Sequence, residues 1–139
     1  MPVLGLGTYR LKGETCRRVV REAVLEGYRL IDTASVYKNE EDIGIAIAEL
    51  INGGVVRREE LFVTTKISPR DQGTQKAHAA ALESLRKLGP AVGYIDLLLI
   101  HWPGTAKLPP THHLNATNRL ETYTVLEHLL STNLTRSIG

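Results

Sequence analysis

Apolar residues recur along this chain with two alternating periods. Short, nearly unbroken apolar runs give way to longer stretches with apolar residues three and four apart, the marks of buried strands and one-sided helices. The first run covers about residues 3–6. It leads through Gly7-Thr8 to a helix over about 14–26, where Val19, Val20, Ala23 and Val24 share a face and Gly27 provides the stop. A second strand over about 29–32 runs into a loop carrying Tyr37. The helix after it, about 39–52, buries Ile43, Ile47, Leu50 and Ile51 and ends at Gly53-Gly54. A third strand at about 61–65 precedes a helix over about 75–88, closed by Gly89-Pro90, and a fourth strand at about 94–100. After a Pro-rich loop, a helix over about 120–130 leads to Arg136-Ser137-Ile138-Gly139, which reads as the opening of a fifth strand.

Strand and helix alternating in this way, with strands apolar on both faces, predict an α/β fold: a parallel sheet built from right-handed crossovers and covered by helices. Two architectures satisfy that pattern. A doubly wound dinucleotide fold calls for Gly-x-Gly-x-x-Gly after its first strand, but Gly5-Leu6-Gly7 is followed by Thr8-Tyr9-Arg10 without the third glycine. A parallel (β/α) barrel of the TIM type also accounts for ionisable residues at successive strand ends, where such barrels keep their chemistry.

Composition narrows the classes further. The chain has 139 residues, 42% hydrophobic and 23% charged, which suits a single globular domain. A net charge of +2, with Lys and Arg interspersed among Glu and Asp, argues against nucleic acid or an anionic membrane as partner. Cys16 is the single cysteine, so no internal disulfide forms, and the N-terminus has neither a charged leader nor an apolar signal core; a cytoplasmic location is the expectation. His112-His113 lack the further ligands a metal site needs, so none is expected.

Four strand-end residues have complementary chemistry. If Tyr37 gives a proton to a carbonyl oxygen while hydride reaches the carbon, its ordinary pKa of about 10 lies roughly three units too high, a gap of about 4 kcal/mol. An ammonium at Lys66 favours the phenolate, and Asp32 can hold that ammonium in place. His101 offers a donor to the carbonyl oxygen, and Trp102 a flat apolar wall for substrate. Since no side chain supplies hydride, the mechanism implies a nicotinamide cofactor. Each residue also has an ordinary role: Asp as helix cap, Tyr as partial core, Lys as solvated surface, His as a packed strand end.

The run Gly27-Tyr28-Arg29-Leu30-Ile31-Asp32-Thr33-Ala34, then Tyr37, Asn39-Glu40 and Ile43-Gly44, resembles the first signature of the aldo-keto reductases. Met1 to Tyr9, Glu59 to Lys66, and Asp96 to Pro103 are similar to the same family in the same order, so the resemblance covers the whole chain. It implies Tyr37 as proton donor, Lys66 and Asp32 as its electrostatic partners, and His101 as the carbonyl-orienting residue. It further implies that Gly7, Thr8, Tyr9 and Asp32 lie near the nicotinamide of NADPH, and that Tyr9, Tyr37, His101 and Trp102 line a site for a small aldehyde or ketone.

An eight-stranded barrel takes about 250 residues. The expectation is therefore a barrel truncated to about four strand–helix units plus the start of a fifth strand, the N-terminal half of the domain. Its uncovered sheet edges and inner layer favour self-association. Beside a reductase stands a second reading, a non-catalytic half-barrel that serves as an interaction protein or does not fold stably.

Overall fold

The computed structural model describes residues 1–139. Strands β1 (Gly5–Gly7), β2 (Leu30–Asp32), β3 (Phe62–Ile67) and β4 (Leu97–Ile100) make one parallel sheet in chain order. Helices α1 (Gly13–Leu25), α2 (Glu40–Asn52), α3 (Thr74–Leu88) and α4 (Leu114–Ser131) each follow the strand of the same number. Every crossover delivers the chain to the adjacent position, which is the winding of a (β/α) barrel. A doubly wound sheet would reverse its strand order at a switch point. Parallel bridges Ile95 to Thr135 and Leu98 to Ile138 set the end of the chain beside β4, where a fifth strand would lie.

The helices end where glycine permits a left-handed turn. After α1, Gly27 has φ +96° and Tyr28 N donates to the Ala23 carbonyl at 2.9 Å; after α2, Gly54 has φ +71° and Val55 N donates to Leu50 at 3.0 Å. Both are Schellman closures. The apolar faces so aligned form one core: Ile31, Val63, Ile67 and Leu98 of the sheet against Val20, Val24, Ile43, Ile47, Ala81, Leu88 and Leu126 of the helices. Cys16 is part of it, and burial pushes its thiol up to about 11. On the other face of the sheet Leu30, Phe62, Leu97 and Leu99 stay half-exposed.

At the end of the sheet opposite the strand C-termini, one partly buried cation ties the strand starts together. Arg58 donates to the carbonyls of Leu61, Val92 and Tyr94 and to Asp96 Oδ2 at 2.7 Å, and Asp96 Oδ2 also accepts from Val63 N at 2.9 Å. The regular pairing of β4 begins at Leu97, although the apolar pattern starts at Tyr94: the Tyr94 carbonyl is taken by Arg58 and Val63 N by the Asp96 side chain instead of by a neighbouring carbonyl. The first strand also differs from its expected 3–6. Its register runs from Gly5 opposite Leu30 to Gly7 opposite Asp32, leaving Val3 and Leu4 exposed.

The largest departure is α4, which begins at Leu114, well before the expected start near residue 120. Its first turns carry polar residues that face inward, a pattern with no apolar period to detect. Asn115 is buried, with Oδ1 accepting from Thr105 N at 2.9 Å and Nδ2 donating to the carbonyls of Pro109 and Pro110. No helix is long and apolar enough to cross a membrane.

Gly44 marks the closest approach between helices. A Cβ there would collide with the main-chain carbonyl of Leu88, at the end of α3. Gly44→Ala should therefore force α2 and α3 apart and cost about 1–3 kcal/mol, read as a lowered urea midpoint; an unchanged midpoint would mean that the two helices separate freely.

Candidate active site

Three successive βα segments bring the candidate groups to the C-terminal rim of the sheet. Asp32 is the last residue of β2, Tyr37 closes the short 3-10 turn Ser35–Tyr37, Lys66 lies near the end of β3, and His101 directly follows β4. Lys66 Nζ donates to Asp32 Oδ1 at 2.6 Å and to the Thr33 carbonyl at 2.9 Å. The same ammonium stands 5.6 Å from the centre of the Tyr37 ring. His101 meets that ring edge-on, with centroids 5.7 Å apart. All four residues named from the sequence thus share one cluster, and Tyr9 joins it with its ring 5.1 Å from that of Tyr37.

The β1 loop is fastened to the cluster through its backbone. Thr8 is buried and donates from both N and Oγ1 to the Asp32 carbonyl, each at 3.0 Å. Its hydroxyl is spent on the scaffold, so what the loop offers to the rim is the backbone and the Tyr9 ring, which is 63% exposed. Gly7 pairs with Asp32 in the sheet register, and nothing lies within 4 Å of the position a Cβ would take there.

Trp102 is placed differently from the other candidates. It is 62% exposed and stacks on His101 at 6.2 Å. With Ile100, Leu120 and Tyr123 it lines a cavity of about 600 Å³ between the end of β4 and α4, and the lining includes His101 but not Asp32, Tyr37 or Lys66. A larger cavity of about 730 Å³, lined by Ser35, Lys38, Arg70 and Ser84 among others, lies outside the cluster as well. The tetrad therefore sits on an open rim.

The electrostatics differ from the sequence expectation in one respect. Lys66 does not bring Tyr37 down: burial, then the Asp32 charge, then Tyr9, push the phenol above its ordinary 10.0. The Asp32 carboxylate that anchors the ammonium at 2.6 Å is itself one of the charges that raise the phenol. His101 is held below its ordinary 6.5 by burial first and by the Lys66 charge second, against an opposing pull from Asp32, so it is neutral at pH 7.

Residues to which the sequence pattern assigns no role hold the cluster in shape. Asn39, 1% exposed, bonds to both the β1 loop and Thr33, Ser35 Oγ donates to the Lys66 carbonyl at 2.9 Å, and Glu40 accepts from Thr65 at 2.7 Å. A polar run directly after Tyr37 was the available signal, but in sequence it is indistinguishable from an ordinary helix start.

A parallel (β/α)-barrel sheet with an acid, a phenol, an ammonium and a neutral imidazole at consecutive strand ends defines a barrel protein with an enzyme-like rim. The family model described as "Aldo/keto reductase family" matches residues 3–139, and the chain belongs to that family. It is 41% identical over 140 residues to a glyoxal reductase of Bacillus subtilis, covering 100% of this chain and 45% of that protein. It is 38% identical to an NADP-dependent D-sorbitol-6-phosphate dehydrogenase of Malus domestica, covering 100% of this chain and 48% of the relative. The crystal structure of the Bombyx mori aldo-keto reductase AKR2E4 in complex with NADP superposes with a TM-score of 0.84 at 40% identity, covering 100% of this chain and 46% of that one. The chain spans about half the length of the curated relatives it matches.

Two pH effects follow. Because folding favours the neutral phenol, the contribution of Tyr37 to stability is complete below its ordinary 10.0 and is lost as pH rises through the higher folded value. Asp32→Asn removes one charge that raises the phenol, so the Tyr37 step in an ultraviolet titration, identified by its loss in Tyr37→Phe, should move to lower pH; a shift upward would show that the Asp32 charge does not raise it. For His101 the neutral form is favoured, so its contribution is complete above 6.5 and lost as pH falls through the lower folded value. His101→Gln should accordingly flatten the fall in melting temperature between about pH 7 and 5, a difference that scanning calorimetry at several pH values would register.

Proposed function

We propose that this chain carries the reducing site of an NADPH-dependent carbonyl reductase acting on a small aldehyde or ketone. The observation that carries the reading is the Lys66–Asp32 pair, 2.6 Å long, with Tyr37 and His101 packed around it on one rim. Family membership supports it, as do a Malus relative whose name specifies NADP and a Bombyx relative crystallised with NADP.

The rim suits a nicotinamide chemically. Gly7 leaves space above the end of β1, and Tyr9 exposes a flat apolar ring beside Tyr37. Gly7, Thr8, Tyr9 and Asp32 are the residues of this chain that would hold that end of the cofactor. When bound, NADPH supplies the hydride for the carbonyl carbon. Tyr37 is the proton donor to the carbonyl oxygen. Burial and the Asp32 charge raise its pKa further above neutrality, so its proton transfer depends on positive charge beside the ring. Lys66, anchored by Asp32 and the Thr33 carbonyl, provides positive charge beside the ring as the phenolate forms. His101 Nδ1 is buried without a partner. A bare acceptor there is less costly than a buried N–H, which leaves the proton on Nε2 for donation to the carbonyl oxygen.

Tyr9, Tyr37, His101 and Trp102 are the proposed substrate contacts. The exposed Trp102, Leu120 and Tyr123, together with the unpaired edge of β1, favour self-association of the 139-residue chain. The alternative is a non-catalytic interaction protein that retains the tetrad. It draws on the same exposed apolar surface and predicts a folded, associated chain without turnover.

The deciding experiment is NADPH fluorescence titration of the purified chain, with light scattering on the same sample and aldehyde-dependent NADPH consumption. Saturable binding is expected, with turnover that Tyr37→Phe lowers by roughly 10²–10⁴-fold while binding persists. A folded chain that neither binds nor consumes NADPH would favour the non-catalytic alternative, and turnover equal in Tyr37→Phe and the parent would remove Tyr37 as donor.

A further inference from the structure

Asn39 occupies the position that precedes the first residue of α2, where an asparagine ordinarily caps its own helix by accepting a main-chain N–H. It makes no such bond. Its side chain turns inward and is almost wholly buried, 1% exposed. Nδ2 donates to the Thr8 carbonyl at 2.9 Å and to the Leu11 carbonyl at 3.1 Å, while Oδ1 accepts from Thr33 Oγ1 at 2.8 Å. Both amide hydrogens and one lone pair are thus committed. The helix start is left to the acidic first turn, Glu40, Glu41 and Asp42, which suits its dipole.

Each partner leads to a different part of the rim. Thr8 and Leu11 bracket the loop that presents Tyr9, and Leu11 N donates back to the Thr8 carbonyl at 3.1 Å to close that turn. The Thr33 carbonyl receives the Lys66 ammonium at 2.9 Å. One residue, Lys38, separates Asn39 from Tyr37, and it adopts a left-handed φ of +56°, as does Arg10 in the β1 loop at +68°. Two unfavourable backbone conformations flank the bonds to Asn39, and left-handed non-glycine residues persist only where surrounding contacts fix them.

We propose that Asn39 is a positioning residue: by bonding Thr8, Leu11 and Thr33 together it sets Tyr9 against Tyr37 and fixes the carbonyl that anchors Lys66. The proposal rests on the reductase reading only for its consequence in turnover. The positioning itself concerns the geometry of the free chain.

Substitutions separate positioning from capping. Asp and Ser cap helices about as well as Asn, but neither can donate to two carbonyls from this place. If Asn39 served its helix alone, Asn39→Asp and Asn39→Ser would be silent. The expected result is that both keep the parent's helical circular dichroism and lose the nuclear Overhauser contacts between the Tyr9 and Tyr37 rings. In aldehyde reduction kcat should fall by roughly tenfold or more, as misplacement of reacting groups does, and KM for NADPH should rise because the same bonds hold Thr8 and Tyr9. The parent chain gives a test that needs no variant: its Asn39 side-chain amide protons should exchange slowly and show contacts to Thr8 and Leu11. Rapid exchange in the parent, or ring contacts preserved in either folded variant, would overturn the proposal. A parent without turnover that nonetheless shows the slow amide and the ring contacts would remove the reductase reading and leave the positioning role standing.

Discussion

The rim is organised by a single ion pair between neighbouring strands. Lys66 of β3 reaches Asp32 of β2 at 2.6 Å, and its second bond goes to the Thr33 carbonyl. An ammonium whose side chain is only 13% exposed needs such partners, since an unpaired charge there would be costly. The pair sets the electrostatics of the whole cluster. Burial leads among the causes acting on both Tyr37 and His101, and for each it favours the neutral form. In the proposed carbonyl reduction these two residues would serve as proton donor and as donor to the carbonyl oxygen.

Polar side chains carry the geometry from one βα loop to the next. Asn39 joins the first loop to the second, and Ser35 joins the second to β3 through the Lys66 carbonyl. Gln72, 4% exposed, joins the third to the fourth by donating to the carbonyls of Trp102 and Gly104. Thr122 of α4 accepts from Gly73 N at the start of α3. Loops carry main-chain groups that must be paired wherever water is excluded, so these side chains satisfy the backbone and fix the loop positions together. The opposite end of the sheet has one anchor, Arg58, whose bonds to three carbonyls and to Asp96 hold the starts of β3 and β4. Rim chemistry and strand anchoring are thereby assigned to different ends, as the barrel architecture requires.

The surface has an apolar sector. Leu4 and Val3 precede β1 at one edge of the sheet, Trp102, Leu120 and Tyr123 surround the cavity near the other, and Leu30, Phe62, Leu97 and Leu99 are half-exposed between them. In relatives of which this chain matches 45–48%, the family fold continues beyond the matched part.

The sequence by itself determined the element order, the parallel winding and the identity of the four rim residues, because each rests on local pattern: apolar period, glycine stops, and an ionisable residue where an apolar run ends. It located α1, α2 and α3 closely, since Val20, Val24, Ile43, Ile47 and Leu50 bury themselves at helical spacing. It missed the first turns of α4, where Asn115 faces inward to bond Thr105, Pro109 and Pro110 and leaves no apolar signature. Three-dimensional packing alone brings Lys66 onto Asp32, spends the Thr8 hydroxyl on the scaffold, and turns Asn39 away from its own helix to tie two loops. Those outcomes depend on distances between residues 24 to 34 apart in sequence. A linear pattern encodes which side chains are present and how they alternate; which partner each one meets is fixed when the strands come into register.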